Sequence, residues 1–142
     1  MKKILFLLIT FISASVAAQN EDYIGTYEFY SKDVKGDVIK YELKLNTDQT
    51  FTFHFYRNII CSVCKEENSY GKGDWKIENK ILHFSTNEDD LDTKNTLNFA
   101  GTIARLIKKS PRDLTDKIVP TALQFYKSNI FWIENLKISK KE

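Results

Sequence analysis

"VIKYELKLNTDQTFTFHFY", residues 38–56, alternates on either side of a polar turn. Ile39, Tyr41, Leu43 and Leu45 share one face, and Lys40, Glu42 and Lys44 share the other. After the turn formers "NTDQT", Phe51, Phe53 and Phe55 fall on one side, with Thr52, His54 and Tyr56 opposite. A hydrophobic period of two on both arms, joined by residues that favour turns, predicts a β-hairpin with one buried face.

The same alternation extends outward from this hairpin. "IGTYEFY" (24–30) precedes it, joined through the turn "KDVKGD" (32–37). "GKGDWKIE" (71–78), the turn "NK" and "ILHFS" follow it. Beyond the acidic loop "NEDDLD" (87–92), "LNFAGTIARLI" places Leu97, Phe99, Ile103 and Ile107 in register, although residues 100–109 also fit helical spacing. "TALQFYK" (121–127) and "IFWIENLKI" (130–138) complete eight candidate strands. A short helix is expected near 111–118, because Ser110 can cap it, Pro111 suits its first position and Asp113 favours its first turn. "WKIENKIL" and "FWIENLKI" both place a Trp near Ile-Glu-Asn, which reads as two similar hairpin edges rather than a repeat.

Eight short strands in sequence predict an all-β fold, an eight-stranded antiparallel up-and-down barrel. A barrel of that size is filled by side chains or holds one small ligand. The inward positions are Tyr27, Phe29, Tyr41, Phe53, Phe55, Trp75, Phe84, Phe125 and Trp132. So many rings either pack the interior solid or line an apolar pocket, and the sequence leaves both open.

Residues 1–18 read as a secretory signal peptide: Lys2 and Lys3, an uncharged apolar run from Ile4 to Ala14, then small residues to Ala18. The run is too short to span a bilayer, and no cysteine near the cut could carry a lipid. The expected domain is therefore 19–142, in the periplasm or the medium. Removing Lys2 and Lys3 from 21 basic residues leaves 19, against 19 acidic. Such a balance argues against nucleic acid as a partner.

Residues 24–85 resemble the lipocalin-like (calycin) small barrel domains of secreted bacterial proteins. The resemblance is carried by Gly25-Thr26-Tyr27, "LKLNTDQTFTF" (43–53) and "GDWKIENKILHFS" (73–85), about half of the mature chain. Gly25-x-Tyr27 stands where lipocalins have Gly-x-Trp, and Gly73-x-Trp75 falls on a later strand. The resemblance implies binding outside the cytoplasm rather than catalysis.

Cys61 and Cys64 are the only cysteines. Export through an oxidising compartment favours a disulfide that pins the turn between two strands. A redox role needs a helix N-terminus or neighbouring cations, and here a strand precedes Cys61 while Lys65 is followed by two glutamates. A metal site needs ligands besides two sulfurs, and His54 and His83 are the only histidines. Envelope copper-resistance lipoproteins also pair such a barrel with Cys-x-x-Cys, but near the first strands. Free thiols are the remaining alternative. No glycine-rich phosphate loop, nucleophile motif or calcium loop occurs.

The expectation is a non-enzymatic binding protein without cofactor or metal, holding a small apolar ligand on Tyr41, Phe53, Trp75 and Trp132. One alternative is a solid barrel that binds or inhibits an envelope protein through loops such as 86–95 and 108–120. The other is a metal-handling barrel using Cys61 and Cys64.

Overall fold

In a computed structural model, the described residues are 20–142. The expected leader, residues 1–18, lies outside them. The strands are β1 (Gly25–Lys32), β2 (Val38–Leu45), β3 (Thr50–Asn58), β4 (Glu67–Glu78), β5 (Ile81–Ser85), β6 (Asn95–Leu97), β7 (Ile103–Ile107), β8 (Ala122–Lys127) and β9 (Lys137–Lys140). Eight of them close an antiparallel ring in the order β1-β2-β3-β4-β5-β7-β8-β9, and β9 returns to β1. Closure leaves no continuous edge around the ring.

The extra strand, β6, is short and runs parallel to β4, at Tyr70 and Gly71. It takes the side of β4 that β5 vacates, because β5 pairs only from Asp74 onward.

Register stacks the inward residues of β1–β4 into four layers. The lowest is Gly25, Leu45, Phe51 and Gly73, and above it lie Tyr27, Leu43, Phe53 and Gly71. Phe29, Tyr41, Phe55 and Ser69 form the third, and Ser31, Ile39, Arg57 and Glu67 the fourth. The large side chains of the lower two layers are buried. Trp75, Leu82, Phe84, Ala104, Leu123 and Phe125 complete the core from the other strands.

Phe99 plugs this lower half. It is fully buried, with ring centroids 5.1 Å from Phe51, 5.0 Å from Phe53 and 5.9 Å from Phe84. Gly71 makes room for it, since a Cβ there would lie 2.7 Å from the Phe99 ring. Gly73, at φ +155°, passes so close to β5 that a Cβ would come within 2.1 Å of the Ser85 carbonyl oxygen.

Three local expectations are corrected. No helix forms at 111–118. The Ser110 carbonyl accepts the Asp113 N–H, the Ser110 hydroxyl accepts the Arg112 N–H, and the Asp113 carboxylate accepts both Thr115 donors. These local bonds replace helical ones. The segment also has no face to bury, as Leu114 and Ile118 are about 90% exposed. Residues 130–136 are a run of turns rather than a strand, held by Ile133 N–H to Ile130 O and Leu136 N–H to Ile133 O. The stretch 97–107 is two strands broken at Gly101, not one.

Candidate functional site: an open aromatic mouth

Strand lengths differ around the ring, and that difference makes the site. At the upper end β1–β4 run on past their neighbours. β9 pairs with β1 only at Tyr27 and Glu28, and β5 stops level with Asp74. The third and fourth layers therefore belong to a four-stranded overhang facing an open side.

Its inner face is aromatic. Phe29, Tyr41 and Phe55 sit directly opposite one another on β1, β2 and β3. The Tyr41 ring lies 5.9 Å from Phe29 and 5.1 Å from Phe55. Trp132 reaches beneath them from the 128–136 loop, 4.7 Å from Phe55, 6.0 Å from Tyr41 and 6.2 Å from Phe53. Ile133 anchors that loop in the core while Trp132 stays half-buried. Tyr41 and Phe55 are also half-buried, and Phe29 is 40% exposed.

Polar groups rim this floor. Arg57 Nη2 lies 2.5 Å from Glu67 Oε1 in the fourth layer. Burial raises the Tyr41 phenol above its ordinary range, and the nearby Arg57 guanidinium opposes that rise. Tyr41 thus keeps its proton at neutral pH and can donate to a ligand.

Of the four residues expected to bind ligand, the structure brings Tyr41, Phe53 and Trp132 together. Phe53 is the buried back wall and Tyr41 and Trp132 are the accessible floor. Trp75 is elsewhere, fully buried in the lower half with its indole N–H donated to Thr50 O at 3.0 Å. Phe29 and Phe55 join the floor; both were legible as inward rings.

The Cys61 and Cys64 sulfurs stand at disulfide bonding distance, 1.95 Å, in the β3–β4 connection above the mouth. A 300 Å³ hollow beside them is lined by Arg57, Ile59, Val63, Cys64, Lys65 and Glu67. The histidines lie elsewhere: His54 Nε2 is 2.8 Å from Asn68 Oδ1 and its ring stacks on Tyr70, while His83 faces Glu78 at 3.8 Å. Among the described residues no three His, Cys, Asp or Glu side chains are grouped to hold a metal ion.

The opposite end is sealed. The Tyr27 hydroxyl donates to Tyr23 O at 2.7 Å, and the Tyr23 hydroxyl donates to Lys80 O at 3.0 Å. Burial drives the Tyr27 phenol far above its ordinary range. A 330 Å³ surface cavity there is bounded by Asp22, Tyr23, Ile77, Lys80, Leu106 and Lys108. Within it the Lys108 ammonium bonds to Asp22 and holds that carboxyl below its usual range. The rings of the upper mouth, by contrast, pack on one another yet stay partly open to solvent.

No protein-family model matches the chain, and neither the curated proteins nor the solved structures contain a match to it. Among the described residues no helix is long and apolar enough to cross a membrane.

Proposed function

We propose that this chain is an extracytoplasmic, non-enzymatic binding protein of lipocalin-like type that holds a small apolar ligand at the upper mouth. The observation that carries this reading is the half-exposed floor of Phe29, Tyr41, Phe55 and Trp132 above a filled lower barrel. Covering those rings is worth about 2.5 kcal/mol for each ~100 Å² of apolar surface removed from water. The short apolar leader and the cysteine pair support export.

A titration with the uncharged fluorophore N-phenylnaphthylamine tests the site. Saturable enhancement is expected, weakened about tenfold, or about 1.4 kcal/mol, by Trp132→Ala. Enhancement that does not saturate, or that ignores Trp132→Ala, contradicts it.

A second reading, docking to a protein partner, draws support from the loop tips at the same end. Val34, Ile60, Val63 and Phe131 stand between 65% and fully exposed there. Exposed apolar side chains clustered at one end of a domain mark contact surfaces.

A further inference from the structure

Two surface hollows meet outside the lower seal. The 330 Å³ cavity walled by Tyr23, Ile77 and Leu106 shares Lys80 and Leu106 with a second, of 560 Å³, that extends across β5, β7 and β8. Ile81 and Tyr126 line the second hollow, and Arg105 stands directly opposite Ile81 in the β5–β7 register. Ile77 and Leu106 pack against the core, and Tyr23 is buried. The apolar walls are therefore held by the barrel itself.

Charge around the two hollows is one-sided. Lys80, Arg105 and Lys108 line them, and among the described residues Asp22 is the one carboxylate that does so. Lys108 bonds to Asp22, whereas Lys80 and Arg105 form no ion pair among the described residues. Lys80 also occupies an unusual backbone position. Asn79 (φ 52°) and Lys80 (φ 65°) make the two-residue turn between β4 and β5, both in the left-handed region. Glycine is favoured at the second position of such a turn, and a side chain there is sterically costly. The Tyr23 hydroxyl, donating to Lys80 O at 3.0 Å, holds this turn against the cavity wall. The fold thus keeps a cation, at the junction of the two hollows, where a glycine would cost less.

We propose that this junction is a second binding site, one for a small amphipathic carboxylate. Its head lies between Lys80 and Arg105, and its apolar body covers Tyr23, Ile77 and Leu106. Small-molecule sites join apolar walls to a few polar groups that fix orientation. The Arg105 guanidinium can fork both carboxylate oxygens, and the Lys80 stem adds apolar wall beneath its ammonium. Exposed ion pairs alone are weak, so the apolar body carries much of the affinity and a simple anion is a poor ligand. The site stands at the opposite end from the mouth and does not depend on that reading.

The test uses anilinonaphthalenesulfonate, an anionic relative of the neutral fluorophore chosen for the mouth. Saturable enhancement is expected, and it should persist in Trp132→Ala. Octanoate should displace the probe about tenfold better than octanol or inorganic phosphate. Lys80→Gly suits the left-handed turn, so the barrel should fold with Tm unchanged or higher. Combined with Arg105→Gln it should weaken the probe about tenfold and leave N-phenylnaphthylamine binding unchanged. In a ¹⁵N–¹H spectrum, octanoate should move the Leu106 and Lys108 amide signals and leave the Trp132 indole signal in place.

No saturable enhancement, enhancement lost in Trp132→Ala, or enhancement that tolerates the Lys80→Gly, Arg105→Gln double variant overturns the proposal. Octanol competing as well as octanoate would remove the role of charge. Phosphate competing as well would remove the role of the apolar walls. Either result also overturns it.

Discussion

Trp75 and Trp132 each stand near an Ile-Glu-Asn triplet, and they end in opposite environments. Trp75 is an inward residue of a paired strand, 1% exposed, with its indole N–H bonded to Thr50 O. Trp132 sits in a turn, half-buried, and touches rings that reach solvent. The two represent the two halves of the barrel. Below, eight strands close around rings packed on rings. Above, four of the strands continue alone, and the same inward alternation meets only the 128–136 loop, through Trp132, in place of a strand. Strand length, rather than residue type, separates core from candidate site.

The largest expected effect sharpens that contrast. Phe99→Ala removes a fully buried ring from among three others. It should cost about 3–5 kcal/mol in urea unfolding. Phe29→Ala, at a 40% exposed position, should cost no more than about 1 kcal/mol. Equal losses would erase the distinction between the halves.

Gly73→Ala should come next, at about 1–3 kcal/mol, because its methyl meets the Ser85 carbonyl, a backbone atom that cannot turn aside. The Cys61→Ser, Cys64→Ser double variant should lose at most about 2 kcal/mol, since the bond closes a very short loop. Hydrogen exchange should quicken at the β3–β4 tip while the lower barrel stays protected.

The smallest effect concerns the loop that delivers Phe99. The Asp92 carboxylate accepts the Asn95 and Lys94 N–H groups, the Asn95 side-chain amide and the Lys72 ammonium. These bonds, those from Asn95 foremost, hold its carboxyl well below the ordinary carboxylate range. A folded-state value below the unfolded one means the contribution is complete above about pH 4. It is lost as pH falls through the folded-state value. Asp92→Asn should make acid unfolding shallower below about pH 4, measured as Tm against pH. An unchanged acid slope would show that the loop is held by other contacts.

The hairpin at 38–56 was readable because one face of each arm is apolar and the other polar, so only one register buries the rings. Closure into a barrel followed from the number of such arms. The loops were less readable because their residues serve two purposes. Ser110, Pro111 and Asp113 start helices and also make turns, and only the solvent-facing Leu114 and Ile118 distinguish the outcomes. In 130–138 a signal was present: Ile130, Ile133 and Leu136 recur every three residues, matching the turn bonds found there. The mouth was half-visible. Tyr41, Phe53 and Trp132 could be picked as inward rings, yet Trp75 satisfies the same rule and is core. Nothing in a local pattern says where the pairing of β1 with β9 and of β4 with β5 stops, so the opening could not be seen.

The account's central claim is that the lower barrel is filled and the upper end open. The most direct test is the pair of indole N–H signals in a ¹⁵N–¹H spectrum as N-phenylnaphthylamine is added. The Trp132 signal is predicted to move with saturation while the Trp75 signal stays in place. Movement of the Trp75 signal would mean that the ligand enters the lower interior, and would contradict the claim.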